Sequence, residues 1–320
     1  FHVPFCHGKC PYCDFYSLPD SQEDMDAYVQ AVLTSLAPWR DKLRNRELAT
    51  VYFGGGTPSL LGAARLGALL QGVKEGFSLS PTAEITLEAN PTHVDRDFFK
   101  EVREAGFNRL SMGLQSADPA QLRLLGRAHS PQDAALAVEN ARAAGFANIS
   151  LDLMLGLPGG SWETLKGSIA FAAGLGVEHI SSYILKVEPG TPFAARGVQL
   201  PDDEETSQQY LLLVEKLGKL GYAQYEISNF ARPGRESRHN LLYWRGEEYL
   251  GFGPGAHSFF GGRRFYYPRD LEGFLQGNAP VDDGPGGDFG EFAMLNLRLT
   301  RGLRRQDCLA RFGLAGTSLF

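Results

Sequence analysis

Three cysteines near the start of the chain have the side chains and the spacing of a metal-binding loop. Cys6, Cys10 and Cys13 follow the order C-x3-C-x2-C and are three of the four cysteines in the 320-residue sequence. Three thiolates on one short loop can hold three irons of a [4Fe–4S] cube and leave the fourth iron open to a small molecule. Thiolates also suit zinc, and His2 or His7 could complete a Cys3His site, so the spacing alone leaves both metals open.

Glycine and polar residues follow the next four apolar segments at similar positions. The run 54–57 reads Gly-Gly-Gly-Thr, and Glu88, Gln115 and Asp152 stand at the ends of the three segments after it. Ligands gather at the carboxyl ends of strands in parallel α/β folds. Taken singly, each residue is better explained as part of a turn or as a helix cap. Four consecutive strand ends of this kind indicate a binding site, and the glycine run lacks the Gly-Lys-Ser/Thr ending of a phosphate loop.

Short β-branched or aromatic segments alternate with longer helical patterns over the first 229 residues. The predicted strands cover 50–53, 84–89, 108–113, 148–153, 179–185 and 222–227, after a first short strand at 3–5. The predicted helices cover 22–38, 60–74, 95–105, 131–144, 162–175 and 204–219. This order predicts an α/β fold with a parallel sheet. Six or seven such units fit a barrel or most of one, with a doubly wound open sheet as the alternative.

Several helix ends are marked by residues that favour them. Ser59 and Asp95 precede helical patterns and are predicted N-caps, because their side-chain oxygens can accept from free backbone amides. Gly106, Gly145 and Gly221 follow helical patterns and are predicted to end them.

The sequence pattern changes after residue 229, which predicts two domains. We expect residues 1–229 to form the parallel α/β domain. Residues 230–320 are expected to form a smaller appended α+β region that is incomplete at its end. Within that region, the composition of 277–290 predicts a loop, and helical periodicity returns near 289–298. Cys308, far from the other cysteines, is expected to be a buried apolar residue.

Composition excludes some classes of protein. The chain is 43% apolar and 21% charged, with a formal net charge of −6, as in ordinary soluble globular proteins. The sequence contains neither a basic run that would favour nucleic acid nor an apolar run long enough to span a membrane. No signal peptide is visible in the given sequence, and because Phe1 is not a start methionine we expect the chain to begin inside the fold, which leaves a leader sequence open. Clustered thiols suit a reducing compartment, so we expect a cytoplasmic protein.

These motifs together resemble the radical S-adenosylmethionine (SAM) superfamily. The resemblance rests on the C-x3-C-x2-C loop, on Tyr12 before its last cysteine, and on the run 54–57 in the next βα unit. It implies a partial (β/α)6 TIM-like barrel. It also implies a [4Fe–4S] cluster held by the three cysteines, whose open iron is chelated by the amino and carboxylate groups of SAM. One electron then cleaves the sulfonium to give a 5′-deoxyadenosyl radical. Because the resemblance implies an iron–sulfur cluster at the three cysteines, it disfavours the zinc alternative.

Within the superfamily the chain resembles the oxygen-independent coproporphyrinogen III oxidases and the related HemW-type haem chaperones. The matching stretches are 2–6, 54–58, 88–91, 111–115, 152–158 and 188–191. The similarity implies that SAM is contacted by Tyr12, Gly55, Gly56, Thr57, Glu88, Gln115, Arg127 and Asp152. Glycine backbone can approach the methionyl group, acids and amides can hold an ammonium or a hydroxyl, and an arginine can bind a carboxylate.

Two features favour the chaperones over the oxidases. The oxidases carry a further cysteine two residues after the third, and here that position is Phe15. The chaperones carry H-N-x-x-Y-W, found here at 239–244, followed by Gly-Phe-Gly-Pro-Gly-Ala-His-Ser at 251–258. The resemblance therefore implies a protein that binds haem, with His239 as a haem ligand, and transfers it to acceptor haemoproteins. His257 is interpreted as a core histidine, with a second haem ligand as the alternative.

Two enzymatic alternatives remain. The first is oxidative decarboxylation of coproporphyrinogen III, in which the radical would abstract hydrogen from propionate side chains. The second is radical chemistry on another substrate such as a transfer RNA base, which the acidic composition disfavours. Whether the chain is an enzyme is left open, as is its oligomeric state. An electron donor is expected as a partner if the cluster is reduced.

Overall fold

The computed structural model describes residues 1–313. Its strands are β1 His2–Val3, β2 Phe5–Cys6, β3 Leu18–Pro19, β4 Glu47–Gly55, β5 Ser78–Ala89, β6 Arg109–Gln115, β7 Ile149–Leu155, β8 His179–Ile184, β9 Ala223–Glu226, β10 Asn229–Ala231, β11 His257–Phe260, β12 Arg263–Tyr266 and β13 Val281–Pro285. Its α-helices are α1 Gln22–Arg40, α2 Gly62–Gly76, α3 Arg96–Ala105, α4 Pro119–Leu124, α5 Pro131–Ala143, α6 Trp162–Gly174, α7 Pro192–Ala195, α8 Asp203–Lys219, α9 Arg238–Trp244, α10 Leu271–Leu275, α11 Phe289–Asn296 and α12 Arg305–Phe312.

The largest sheet carries the parallel strands that the sequence predicts. Its order is β1-β4-β5-β6-β7-β8-β10-β9, and each neighbouring pair from β1 to β8 is parallel. Helices connect successive strands, as right-handed βα crossovers require. The α/β class and the partial TIM-like barrel are therefore confirmed, and the alternative of a doubly wound open sheet is not the architecture observed.

The last part of this sheet differs from the prediction. We expected 222–227 to be one more parallel strand, but β9 pairs only with β10, and β10 runs antiparallel between β9 and β8. The chain reverses at Glu226, whose carboxylate accepts from the Ser228 backbone and from the Asn229 side chain. The predicted domain boundary after residue 229 consequently falls inside β10, and the division into two domains stays a prediction.

The two faces of the barrel sheet have opposite character. On β4, Val51 and Phe53 are buried in the apolar core, which the helices cover. Because side chains alternate along a strand, Tyr52 points to the opposite, inner face. The inner face also carries Glu88 and Asp152 on β5 and β7, so the interior of the barrel is lined by polar side chains. A polar interior enclosed by an apolar outer layer suits a ligand site.

The helix ends agree with the sequence except at one position. Asp95 caps α3 by accepting from the Phe98 amide at 2.8 Å, and Gly106 ends it in the left-handed conformation. The predicted Ser59 cap is wrong, because Ser59 lies within a short 3-10 turn, Pro58–Leu61, that precedes α2. Its hydroxyl instead accepts from the Asn90 amide at 3.3 Å and joins two strand-end loops.

The C-terminal residues form a small sheet and short helices against the barrel. Strands β11, β12 and β13 form an antiparallel sheet, so the predicted loop 277–290 contains a strand. Cys308 is 0% exposed, which confirms its expected burial. The last seven residues of the predicted appended domain lie outside the described residues. Among the helices of residues 1–313, none is long and apolar enough to cross a membrane.

Candidate functional site

The strand residues that lead into the cysteine loop, residues 6–13, are held against the end of β4 and the glycine run by backbone hydrogen bonds. The Gly56 amide donates to the Val3 carbonyl at 2.8 Å, and the Thr57 amide donates to the Phe5 carbonyl at 2.7 Å. Within the loop, the Cys13 amide donates to the Cys10 carbonyl at 3.1 Å and closes a turn. The first predicted motif is thus attached directly to the second, the glycine run.

The three thiols of the loop are unpaired and share one environment. Cys6, Cys10 and Cys13 are free and half-buried. Burial raises the pKa of the Cys13 thiol, and the nearby Cys10 and Cys6 raise it further. In residues 1–313, no three His, Cys, Asp or Glu side chains converge on one ion position. A [4Fe–4S] cube does not require that convergence, because it binds each thiolate at a different iron.

The histidines that could have completed a zinc site have other partners. His2 Nδ1 is hydrogen-bonded to the Pro254 carbonyl. His7 lies 3.5 Å from Asp20 and stacks edge-on with His93 at 5.2 Å. Three thiols without a fourth protein ligand fit a cluster with one open iron better than a closed tetrahedral zinc site.

Two glycines give the cysteine loop its space. A Cβ at Gly56 would lie 2.6 Å from the Phe5 carbonyl oxygen and 3.1 Å from Cys6 Sγ. Gly55 adopts a φ of +114°, and a Cβ there would lie 1.8 Å from the His2 ring. Thr57 follows with its hydroxyl 3.5 Å from Cys6 Sγ. Glycine at these two positions therefore lets bare backbone approach the cluster side of the barrel.

Two carboxyl groups, those of Glu88 and Asp152, face the barrel interior, and neither forms a salt bridge within residues 1–313. Glu88 accepts from the Tyr52 hydroxyl at 2.6 Å, and Asp152 accepts from the Ser111 hydroxyl at 3.3 Å. Burial, with the neighbouring Asp152, raises the pKa of Glu88 to about 7. Burial likewise raises the pKa of Asp152 to about 6. Buried acids without a salt bridge fit a ligand that brings an ammonium or hydroxyl group.

Gln115 and Arg127 meet above a glycine of β6. Gln115 has a φ of 66°, an uncommon conformation for a residue other than glycine, at an irregularity in the β6–β7 pairing. A Cβ at Gly113 would lie 2.6 Å from Gln115 Nε2 and 2.9 Å from Arg127 Nη2. The backbone thus leaves space for both side chains at the carboxyl end of the strand, beside Glu88 and Asp152.

Arg127 also connects this edge of the sheet to the cysteine loop. Its guanidinium donates to the Gly113 carbonyl at 3.1 Å and to Cys10 Sγ at 3.6 Å. Tyr12 packs on Phe193 with ring centroids 6.1 Å apart. Burial raises the pKa of Tyr12, and Cys10 raises it further. The guanidinium thus places a positive charge beside Cys10, where a bound cluster would bring negative charge.

The structure therefore brings the predicted SAM residues and the cysteines to one end of the barrel. They are Cys6, Cys10, Tyr12, Cys13, Gly55, Gly56, Thr57, Glu88, Gln115, Arg127 and Asp152. The donor set and the paired acids fit a cluster with an open iron and a ligand that carries amino, carboxylate and hydroxyl groups. Their individual contacts with either group stay predictions.

His239 lies apart from this group, inside the barrel next to β4. Its Nδ1 is 2.7 Å from the Thr50 hydroxyl and its Nε2 is 2.9 Å from the Tyr243 hydroxyl, so both ring nitrogens have partners. Burial lowers its pKa to about 3, which keeps the imidazole neutral. The ring also forms part of the wall of a cavity of about 490 Å³.

The interpretation of His257 as a core histidine is wrong. The side chain is exposed and stacks on Tyr266 with ring centroids 5.2 Å apart. It lines the same cavity as His239, and its ring nitrogens form no hydrogen bond with the described residues. It is the exposed first residue of β11, and the next two residues, Ser258 and Phe259, are buried.

Two residues of the barrel interior were not predicted. Tyr52 joins Glu88 to His239, and only the strand alternation on β4 could have placed it inside. Arg109, at the start of β6, is 2% exposed and forms no salt bridge with the described residues. Its charge lowers the pKa of Asp152, opposing the effect of burial. Because arginine is mostly exposed in proteins, an interior cation at this position was not expected.

Comparison with known families identifies the first half of the chain. The sequence model of the Radical SAM superfamily matches residues 1–172. The matched segment contains the cysteine loop, the glycine run and the strand ends that carry Glu88, Gln115 and Asp152.

Individual relatives extend the similarity over nearly the whole chain. The heme chaperone HemW of Mycobacterium tuberculosis is 41% identical over 329 residues, which cover 98% of this chain and 83% of the relative. HemW of Escherichia coli is 40% identical, covering 98% and 85%. In structure, the chain is similar to coproporphyrinogen III oxidase (HemN) of E. coli, a radical SAM enzyme, with a TM-score of 0.81. That match is 25% identical in sequence and covers 92% of this chain and 73% of HemN.

Proposed function

Because this chain belongs to the radical SAM superfamily, and within it to the HemW family of haem chaperones, we propose that it binds haem and delivers it to acceptor haemoproteins. The observation that carries this function is the identity of about two residues in five with two HemW proteins over 98% of the chain. The absence of a fourth cysteine at Phe15 supports the same branch of the family.

The cofactors of the chain are a [4Fe–4S] cluster and SAM, and its cargo is haem. We assign the cluster to Cys6, Cys10 and Cys13, the three free thiols of the cysteine loop. When bound, the cluster supplies a one-electron centre with an iron open to SAM. The protein contributes the fixed loop, the Arg127 cation beside Cys10, and the backbone of the glycine run.

We assign the SAM contacts to the polar residues around the cluster end of the barrel. Gly55, Gly56 and Thr57 offer backbone and a hydroxyl close to Cys6. Glu88 and Asp152, which form no salt bridge with the described residues, are suited to an ammonium or hydroxyl group. Tyr12, Gln115 and Arg127 complete the set, with the guanidinium suited to a carboxylate.

We assign haem ligation to His239. A neutral imidazole is the form that binds iron, and burial keeps His239 in that form. One of its two hydrogen bonds must open for a ring nitrogen to reach the metal, and the bond to Tyr243 is the easier to open, because a side-chain hydroxyl can rotate away. A ligand that binds by displacing a hydrogen bond binds less tightly, which suits a protein that has to release its cargo.

Several further features of the function remain proposals. The receiving partners are haemoproteins, and an electron donor acts on the chain if the cluster is reduced. The cytoplasm is the proposed location, because thiols that bind a cluster require a reducing compartment. Residues 1–229 are proposed as the radical SAM barrel, and 230–320 as an appended domain that contributes the haem-binding histidine.

Anaerobic reconstitution tests the function directly. One preparation should contain iron and sulfide at four each per chain, and added haem should give a Soret band. Mixing this protein with an apo-haemoprotein should transfer that band to the acceptor. Haem that stays on the chain, or transfer at the rate seen with free haem, would contradict delivery. Replacing Cys6, Cys10 or Cys13 by Ser should abolish cluster binding, whereas Cys308→Ala, the matched control in the appended region, should retain it.

The alternative is an oxygen-independent coproporphyrinogen III oxidase, which the structural similarity to HemN supports. Phe15 argues against the oxidase, because it stands at the position of that family's fourth cysteine. The Phe15 side chain is 65% exposed next to the cysteine loop. Anaerobic incubation of the reconstituted protein with coproporphyrinogen III, SAM and a reductant discriminates between the two. Formation of protoporphyrinogen IX would support the oxidase, and its absence under conditions where HemN turns over would support the chaperone.

A further inference from the structure

One side chain of the barrel interior contacts both a proposed SAM residue and the proposed haem ligand. The Tyr52 hydroxyl donates to Glu88 Oε1 at 2.6 Å. The same phenol ring stacks on the imidazole of His239, with centroids 4.8 Å apart and planes inclined by 17°. Tyr52 therefore lies directly between the two proposed sites.

His239 is restrained on its other sides as well. Thr50 binds its Nδ1 at 2.7 Å, and Tyr243 binds its Nε2 at 2.9 Å with the two rings nearly perpendicular. The Tyr52 ring covers one face of the imidazole. The plane of His239 consequently depends on the plane of Tyr52, and that plane depends on the hydroxyl's attachment to Glu88.

We propose that Tyr52 is a positioning residue that couples the SAM site to haem binding, so that SAM on Glu88 increases the affinity of His239 for haem. This inference rests on the proposed function and on its assignments of Glu88 and His239. A cationic or hydroxyl group of SAM fixes the Glu88 carboxylate in place. The fixed carboxylate then holds the Tyr52 hydroxyl, and the ring holds the imidazole in the orientation that haem requires.

The coupling has a thermodynamic consequence in both directions. If SAM increases haem affinity by some factor, haem must increase SAM affinity by the same factor. Couplings of this kind commonly change affinity by roughly 5- to 150-fold. A single hydrogen bond that orients one ligand belongs near the lower end, so we expect about a fivefold effect.

The test uses Tyr52→Phe, which keeps the stacking ring and removes only the hydroxyl. Haem is titrated anaerobically into the reconstituted protein with and without saturating SAM, with no reductant, so that SAM stays intact. The unsubstituted protein should bind haem about five times more tightly with SAM, and SAM about five times more tightly with haem. In Tyr52→Phe both ratios should fall to one.

Tyr243→Phe is the matched control. It also removes a tyrosine hydroxyl hydrogen-bonded to His239, but one that forms no hydrogen bond with Glu88. Its haem affinity should change while the fivefold dependence on SAM remains. If Tyr52→Phe does not fold, Glu88→Leu removes the acceptor of the Tyr52 hydroxyl and should abolish the dependence at SAM concentrations that saturate the variant.

Each result separates this inference from the function on which it rests. A ratio of one in the unsubstituted protein, or a ratio of five that survives in Tyr52→Phe, overturns the coupling and leaves haem delivery standing. Failure of the unsubstituted protein to bind haem at all overturns the proposed function and the coupling with it. A ratio that disappears in Tyr52→Phe and persists in Tyr243→Phe supports the coupling.

Discussion

The guanidinium of Arg127 donates a hydrogen bond to Cys10 Sγ across 3.6 Å, although the two residues are 117 positions apart in the sequence. A second donor of the same side chain binds the Gly113 carbonyl at 3.1 Å. Arg127 thereby ties the cysteine loop to the carboxyl end of β6 and places a positive charge beside the proposed cluster. Hydrogen bonds and charge near cluster sulfurs are among the main determinants of its reduction potential.

Arg127→Gln should therefore make the cluster harder to reduce and weaken SAM binding. Loss of the cation disfavours the added electron, and we expect the midpoint potential to fall by roughly 50 mV, since 59 mV corresponds to tenfold in a one-electron couple. Redox titration followed by electron paramagnetic resonance measures the shift. Arg123→Gln, an exposed arginine on α4, is the control and should leave the potential unchanged. An equal potential in both variants would contradict the role of Arg127.

The second prediction concerns the lack of space for a side chain at the glycine run. A Cβ at Gly56 would lie 2.6 Å from the Phe5 carbonyl oxygen, which is backbone and cannot move aside cheaply. Gly56→Ala should thus displace the cysteine loop, lower the iron content after reconstitution by at least half, and destabilise the fold by about 1–3 kcal/mol.

Gly67→Ala is the matched control for Gly56→Ala. Gly67 lies within α2, and a Cβ there would meet only the Ala105 Cβ, at an ordinary 3.7 Å. Alanine is the better helix former by about 1 kcal/mol, so this variant should keep its iron and unfold at a slightly higher temperature. Iron analysis and thermal unfolding, measured on both variants, check the pair. Full iron content in Gly56→Ala would show that the close approach is not required.

The parts of this site that could be predicted are formed by residues close together in the sequence, whereas contacts between distant segments could not be predicted. The cysteine loop and the glycine run are local patterns, and their types and spacing predicted their roles and their shared end of the barrel. Contacts between distant segments gave no such signal. The packing of His239 against Tyr52 requires α9 to enter the barrel next to β4, and no local pattern encodes that approach.

The errors have a similar physical origin. The segment 222–227 has the composition of a strand, but its pairing was decided by the reversal at Glu226, whose carboxylate binds the turn that follows. His257 was expected in the core because it is surrounded by aromatic residues in the sequence. It instead occupies the exposed first position of β11, where the next two residues, Ser258 and Phe259, are buried.

The raised pKa values of the two interior acids predict a pH dependence of SAM binding. Burial raises the pKa of Glu88 to about 7, with Asp152 as a further cause, and burial raises that of Asp152 to about 6. Both folded-state values lie above the ordinary values of carboxyl groups. The contribution of these groups to stability is therefore present below about pH 4 and is lost as the pH rises through 6 and 7.

A SAM cation favours the ionised acids, so SAM affinity should rise over the same range. For a single carboxyl of pKa about 7, the ionised fraction grows from about 0.1 at pH 6 to about 0.9 at pH 8, which predicts roughly a tenfold increase in affinity. Equilibrium dialysis at several pH values measures it. Glu88→Gln should bind more weakly with a flatter profile, whereas Glu163→Gln, at an exposed position of α6, should reproduce the original profile. A profile unchanged by Glu88→Gln would assign the titration to another group.

The last prediction concerns the proposed haem ligand, His239, and the Tyr243 hydroxyl that is hydrogen-bonded to it. His239→Ala should shift the Soret band and weaken haem binding at least tenfold while leaving the absorbance of the iron–sulfur cluster unchanged. Tyr243→Phe should act in the opposite direction, because the Tyr243 hydroxyl lies 2.9 Å from His239 Nε2 and must be displaced before that nitrogen can bind iron. A hydrogen bond contributes about 1 kcal/mol net, so haem affinity in Tyr243→Phe should rise about fivefold.

His257→Ala is the control for the haem prediction, because it removes the exposed histidine that lines the same cavity. If His239 is the ligand, this variant should keep both the Soret position and the affinity of the unsubstituted protein. A Soret band that moves in His257→Ala and stays in His239→Ala would assign the iron to His257 instead. The His257 imidazole is exposed and forms no hydrogen bond with residues 1–313, so it would then bind haem without the displacement that His239 requires. Tyr243→Phe would in that case lose its expected gain in affinity.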